Sequence, residues 1–374
     1  MKYREIKKTG DKVSLMGVGA MRLPKNADGS VDRPHAIKMI RNAIDNGVNY
    51  IDTAYTYHGQ TSESVVAEAL RDGYREKVFI ADKHPVWLAN SEEEMKAIFY
   101  EQLECLETDC IDFYLIHNLT RGIWATAQKF NTFEFLTEMK KEGKIKYLGF
   151  SFHDDLECFK EIIDAKPWDF CQIQLNYMDK EFQAGVEGMK YAYERDIPVI
   201  IMEPVKGGRL ASNIPPQIQE LWDSAEVKRT PAEWALRWVA NFPEVLTILN
   251  GVSNVEQMAE NLNTFQTADA NMLTDAELAL IDKASEEYSR LIKYSCTGCG
   301  YCTPCPEGVD IPDMINFCNE IATYGMSEGL ALSYTWVKPH HRATNCIGCQ
   351  LCEDKCPQSL PIAQIMEEVK GHLG

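Results

Sequence analysis

The stretch Asn49-Tyr50-Ile51-Asp52-Thr53-Ala54-Tyr55-Thr56-Tyr57-His58 decides how the chain is read. It opens as a short apolar strand and breaks at Asp52. It then runs through small and aromatic residues into Gly59-Gln60-Thr61-Ser62, a turn that starts a helix. A carboxylate at the C-terminal end of a strand, with a tyrosine five residues on in the next loop, is how a parallel barrel places catalytic groups. The same letters also suit a strand end and a solvated loop, so the reading rests on what the other strands bring.

Towards the N-terminus, residues 4–10 and 13–19 flank a Thr9-Gly10-Asp11 turn and predict a hairpin. Towards the C-terminus, apolar strands alternate with amphipathic helices. Strands are predicted at 49–52, 78–83, 111–117, 145–152, 170–176, 198–202 and 245–250, with helices at 35–46, 62–72, 130–142, 154–164 and 185–195. Ser91-Glu92-Glu93-Glu94 is a capping box, and the helix it opens places Met95, Ile98, Phe99, Leu103 and Leu106 at helical spacing. Thr230-Pro231-Ala232-Glu233 and Ser253-Asn254-Val255-Glu256 open two more helices. With 13–19 as the first, eight strands alternate with helices. Strict alternation implies right-handed crossovers and a parallel sheet. No Gly-x-Gly-x-x-Gly follows a first strand, so a closed (β/α)8 barrel is expected over an open dinucleotide-binding sheet. A last helix runs from Thr274 to near Lys293. The composition changes at Ser295, which divides the chain into a barrel, 1–294, and a second domain, 295–374.

The 374 residues have room for a barrel of about 250 residues and a small extra domain. A net charge of -18 argues against nucleic acid or an anionic membrane as partner. The N-terminus lacks the apolar core of a signal peptide, and no apolar run approaches the roughly 18 residues of a membrane span. A cytoplasmic protein is expected. Of 13 cysteines, Cys105, Cys110, Cys158 and Cys171 are scattered, and the other nine lie between Cys296 and Cys356. An odd number of thiols in a chain without a signal peptide points to metal ligands rather than disulfides.

Other strands also end in residues that an apolar core would not choose. Lys83 ends the third and His117 the fourth, while Gln172, Gln174 and Asn176 alternate on the sixth and so face one way. Alone, each is an ordinary rim residue. Together, Asp52, Tyr57, Lys83 and His117 surround one site. An ammonium beside a tyrosine favours the phenolate and draws the phenol down from about 10, and a carboxylate behind the lysine fixes that charge. Tyr57 can then give a proton to a carbonyl oxygen as the carbon is reduced, with His117 orienting that oxygen.

These residues, with Gly149-Phe150-Ser151, Gln174-Leu175-Asn176-Tyr177 and residues 253–261, resemble the aldo-keto reductases over residues 3–290. The family is a (β/α)8 barrel that reduces aldehydes and ketones, usually with NADPH. The resemblance implies Tyr57 as proton donor, Lys83 and Asp52 as its tuning pair, and His117 as the group that orients a small carbonyl or alcohol substrate. It also implies cofactor contacts from Ser151, Gln174, Met202, Ser253 and Asn261. The chain departs from the family where Phe152 follows Ser151, where Met202 stands for an aromatic residue, and where Gly251 and Gln257 stand for phosphate-binding cations.

The C-terminal arrays are Cys296-x2-Cys299-x2-Cys302-x2-Cys305-Pro306 and Cys346-x2-Cys349-x2-Cys352-x3-Cys356-Pro357. The second is the run of a bacterial ferredoxin, which binds [4Fe–4S] cubes. Paired Cys-x-x-Cys units also suit zinc, but a third thiol at the same spacing and a proline after the fourth favour iron–sulfur. By resemblance to two-cluster ferredoxins, Cys296, Cys299, Cys302 and Cys356 hold one cube, and Cys346, Cys349, Cys352 and Cys305 the other. The intervening residues 311–323 and 326–332 read as helices, so this ferredoxin-like domain is mainly helical. The whole chain resembles aldo-keto reductase-like proteins that carry a C-terminal dicluster domain.

A hydride carries two electrons and a cube normally takes one, so the pairing implies NAD(P)H, with or without a flavin, and an external electron-carrier protein. Two alternatives stand beside this oxidoreductase. One is a redox-sensing or electron-transfer module without turnover, and the other an NAD(P)H reductase whose clusters are structural.

Overall fold

The computed structural model describes residues 1–296 and 298–373. Thr297 and Gly374, both inside the expected C-terminal domain, lie outside the described residues. The chain forms two compact units, one of Met1–Pro204 with Leu236–Thr274 and one of Val205–Ala235 with Asp275–Gly374.

In the first unit, β1 (Tyr3–Glu5) pairs antiparallel with β2 (Lys12–Ser14). The arm expected over 13–19 is divided at Leu15, because Ser14 ends the hairpin and ties it to Asn49. Ser14 Oγ donates to Met16 O and accepts from Asn49 N–H, while Asn49 Oδ1 accepts from Ser14 N–H, at 2.7–2.9 Å. Met16–Gly19 then becomes β3, the first barrel strand. Next come α1 (Arg33–Asp45), β4 (Tyr50–Asp52), α2 (Ser62–Ala69), β5 (Phe79–His84), α3 (Glu92–Cys105) and β6 (Ile111–Leu119). They are followed by α4 (Arg121–Lys129), α5 (Thr132–Lys141), β7 (Ile145–Phe152), α6 (Leu156–Ala165), β8 (Phe170–Gln174), α7 (Gly185–Tyr193) and β9 (Val199–Met202). After α8 (Pro216–Ser224), which belongs to the second unit, and α9 (Pro231–Ala240), which the division crosses, β10 (Val245–Asn250) and α10 (Val255–Thr267) complete the alternation. Strands β3 to β10 are parallel and close in the order β10-β3-β4-β5-β6-β7-β8-β9. This is the (β/α)8 barrel expected from the alternation.

The register explains where the polar strand ends go. Asp52 pairs with Ala81, Lys83 with Leu115, Leu115 with Gly149, Ser151 with Gln172, and Gln174 with Met202. Paired residues share a face, and side chains alternate with a period of two. Asp52, Lys83, His117, Ser151 and Gln174 therefore climb one inward face, each a step nearer the C-terminal end. Below them the same parity carries Tyr50, Ala81, Phe113, Leu115, Tyr147, Phe170 and Ile200, which pack as the barrel interior with Ile6 and Val13 of the hairpin. Gly149 has to be glycine, because a Cβ there would sit 2.5 Å from Phe170 O.

The second unit contains α11 (Asp275–Arg290), α12 (Ile311–Tyr324), α13 (Glu328–Trp336) and α14 (Ile362–Leu373). Ile311, Met314, Ile315, Phe317, Leu330, Ile365, Met366 and Val369 form its core, with Cys296, Cys302, Cys305, Cys346, Cys352 and Cys356 packed against it. Helix α12 lies where the sequence placed it. Helix α13 begins two residues later than expected and runs to Trp336, and α14 was not anticipated. No helix among the described residues is long and apolar enough to cross a membrane.

Candidate active site and cluster ligands

Lys83 is 1% exposed, so its ammonium has to find partners inside the protein. Its Nζ lies 2.6 Å from Asp52 Oδ1, at the end of the neighbouring strand, and 2.7 Å from Thr53 O just beyond it. The same nitrogen lies 4.9 Å from the centre of the Tyr57 ring, in the loop that follows β4. The Tyr57 and His117 rings meet edge to face at 6.2 Å, and Trp87 lies 5.1 Å beyond His117. The structure thus brings Asp52, Tyr57, Lys83 and His117 together in the first unit. Thr53 O and Trp87 are neighbours that the strand-end reasoning missed.

Burial opposes the Lys83 charge, but Asp52 and Tyr57 outweigh it and hold the ammonium above the ordinary lysine value. Burial also lifts the Asp52 carboxyl, and Lys83 draws it back only in part. From the sequence, Lys83 is expected to draw the Tyr57 phenol down. In the fold burial acts first and Asp52 adds to it, so Tyr57 stands above the usual tyrosine value despite Lys83. A protonated phenol above a fixed ammonium is poised to donate. Burial, then the Lys83 charge, push His117 well below the usual imidazole range, so the ring is neutral at pH 7. Its Nδ1 is buried without a hydrogen-bond partner.

The expected cofactor residues fall in two groups. Ser151 Oγ accepts from Asn118 N–H at 2.7 Å, which leaves its own hydrogen free to donate. Gln172 Nε2 lies 3.5 Å from Met202 Sδ, while Gln172 Oε1 and Gln174 Nε2 are buried without partners. That orphaned acceptor and donor, two residues apart on one inward face, fit a carboxamide such as that of nicotinamide. Asn176 lies beyond β8 and makes a turn instead, its Oδ1 accepting from Met178 and Asp179 N–H at 3.0–3.1 Å. The second group follows β10. Ser253 N–H and Oγ meet Gln257 Oε1 at 3.0 and 3.3 Å, and Asn261 Nδ2 donates to Asn250 Oδ1 at 3.1 Å. The Arg22 side chain passes 3.3 Å from where a Cβ on Gly251 would stand, a contact across the barrel seam that sequence spacing could not show.

In the second unit the thiols form two quartets. Cys296, Cys299, Cys302 and Cys356 line one cavity with Ile315 and Leu360. Cys305, Cys346, Cys349 and Cys352 line another with Val309 and Met366. Each cavity holds about 330 Å³ of empty space, open solvent included. Among the described residues no three His, Cys, Asp or Glu side chains converge as they would on one metal ion. Soft thiols spread around a void suit a cube better than a tetrahedral ion. Both quartets borrow their fourth thiol from the other array. Cys318 borders neither cavity, and its Sγ lies 3.4 Å from Glu368 Oε2.

Compared with known proteins, residues 15–286 match the model described as the aldo/keto reductase family, and residues 295–360 match a 4Fe-4S dicluster domain. A methylglyoxal reductase of Escherichia coli is 28% identical over 76% of this chain and 95% of that protein. An NADH-specific methylglyoxal reductase of the same organism is 25% identical over 74% and 96%. The holo form of an aldo-keto reductase from Bacillus halodurans superposes with a TM-score of 0.62 at 25% identity, over 76% of this chain and 96% of that one.

Proposed function

We propose that this chain, which belongs to the aldo/keto reductase family and ends in a 4Fe-4S dicluster domain, reduces small aldehydes or ketones in its barrel and exchanges electrons with an external carrier protein in the cytoplasm. The observation that carries the reading is the buried Lys83 ammonium, 2.6 Å from Asp52 and 4.9 Å from the Tyr57 ring centre. NAD(P)H, when bound, supplies a hydride to the carbonyl carbon. Tyr57 gives its hydroxyl proton to the carbonyl oxygen, and Lys83 stabilises the phenolate left behind. Asp52 keeps the lysine charged, and neutral His117 holds the carbonyl oxygen by a hydrogen bond. Ser151, Gln172 and Gln174 would hold the carboxamide through their free donor and acceptor atoms. Met202, beside Gln172, would take the ring face, with Ser253 and Asn261 for the rest of the nucleotide. The two cysteine quartets would hold the cubes, which supply one-electron chemistry.

Two of the curated relatives are named methylglyoxal reductases, which supports a small-aldehyde substrate. The test is oxidation of NADH and of NADPH by anaerobically purified protein with a series of small aldehydes and ketones, methylglyoxal included. Carbonyl-dependent oxidation of either nucleotide is the expected result. Its absence across the series, with both clusters intact, would overturn the reading.

A further inference from the structure

Strand β5 carries Lys83 inward, and the residue before it points the other way. Asp82 is 0% exposed, as is Gln102 of α3, and Glu63 of α2 is 1% exposed. Gln102 Nε2 lies 2.6 Å from Asp82 Oδ2, 3.1 Å from Glu63 Oε1 and 3.1 Å from Lys83 O. The Tyr114 hydroxyl donates to Gln102 Oε1, which fixes the amide's orientation. One amide nitrogen thus touches both carboxyl groups and brings them to one buried spot. Among the described residues no lysine or arginine forms an ion pair with either.

The donors can be counted. An amide nitrogen carries two hydrogens, and here it faces three acceptors. Two buried carboxylates side by side without a cation are too costly to ionise together, and such a pair titrates as a unit. One extra proton removes both difficulties.

We propose that Glu63 and Asp82 share a single proton at neutral pH and, with Gln102, act as positioning residues that grip Lys83 from outside the barrel. Asp82 Oδ1 accepts from the Lys83 backbone N–H at 2.8 Å, and Gln102 holds the Lys83 carbonyl. Both backbone groups of the lysine are thus tied to α3 and, through Glu63, to the helix that follows the Tyr57 loop. The one negative charge left on the pair lies behind β5, and its field across the strand favours the Lys83 ammonium and keeps the Tyr57 phenol protonated. Burial raises both carboxyls, and the charge of each opposes ionisation of the other. The other titratable groups turned towards the pair are Glu101 and Cys105 of α3, with Tyr114 of β6 and Tyr55. This role for Lys83 rests on the catalytic reading of the barrel, but the shared proton does not.

Two measurements on the intact protein test it, neither of which needs turnover. Infrared difference spectra at neutral pH, in water and heavy water, should show a protonated carboxyl that disappears in both Glu63→Gln and Asp82→Asn, since the remaining carboxyl no longer has a partner to repel. Ultraviolet titration of the Tyr57 phenol, taken as the difference between protein with Tyr57 and its Tyr57→Phe counterpart, reports the residual charge. Its midpoint should fall by about half a unit to one unit in the double variant, which loses that charge. A carboxyl band that survives both single substitutions would overturn the shared proton. A midpoint that stays in place in the double variant would overturn the link to Lys83 and Tyr57.

Discussion

In the barrel, Lys83 finds its counter-charge and a carbonyl within 2.7 Å, both from the C-terminal end of β4, in a packed and parallel-paired interior. In the second unit the thiols border two cavities, with Cys299 and Cys349 exposed and the other six ligands half-buried against a helical core. One site is completed by the protein's own side chains. The other is a set of soft thiols around a void of the kind a cluster would fill. The barrel is therefore expected to stand without its cofactor, and the second unit to owe part of its stability to the metal, as small metal domains do.

Stripping iron under anaerobic conditions puts that contrast at risk most severely. Amide hydrogen exchange should then rise across α12 and α14 while β4 to β8 stay protected; unchanged protection of α12 and α14 would break the contrast. A smaller effect is expected inside the barrel. Asp52→Asn leaves a buried ammonium without its counter-charge and should cost about 3–5 kcal/mol of barrel stability, read from the most protected strand amides. A loss below about 1 kcal/mol would show that the pair is less self-contained than its geometry says.

The smallest effect concerns His84, whose Nε2 meets Met95 O at 2.8 Å. Burial pushes this imidazole down to about 4. The unfolded chain takes up the proton near pH 6.5, so the stability from neutral His84 is complete above that pH and is lost as pH falls towards 4. The span is worth up to about 3 kcal/mol. His84→Gln, which keeps a donor and removes the titration, should flatten the acid limb of barrel stability between those values. An unaltered limb would contradict it.

The barrel could be read from the sequence because each strand signals itself by an apolar run and each helix by a cap. Ser91, for example, accepts from Glu94 N–H at 3.2 Å, one half of the expected capping box, while Glu94 Oε2 accepts from Asn90 N–H at 2.8 Å in place of Ser91 N–H. Asp52, Lys83 and His117 stood out because a charged or imidazole side chain ends an apolar strand. Other features left no local trace. The helix expected at 130–142 is preceded by α4, from which it is separated at Asn131, whose φ of 50° needs no glycine to announce it. Thr120, which accepts from Ile123 N–H, was the available signal for α4. The Glu63–Asp82–Gln102 cluster joins residues 19 to 39 positions apart, and only the register of β5 shows that Asp82 turns outward. Glu63 and Asp82 read as ordinary helix and strand-end carboxylates. The pairing of the cysteines across arrays was implied only by resemblance, because spacing within one array says nothing about the fold of the residues between.

The most direct test of the account is the rate of carbonyl reduction by Tyr57→Phe beside the unsubstituted protein, both prepared without oxygen and both checked for iron and sulfide. The account predicts a rate lower by about 10²–10⁴-fold with cluster content unchanged, the loss expected when a general acid is removed and its surroundings are kept. A variant that turns over at the original rate would contradict it, and with it the assignment of Lys83 and Asp52 as the groups that serve Tyr57.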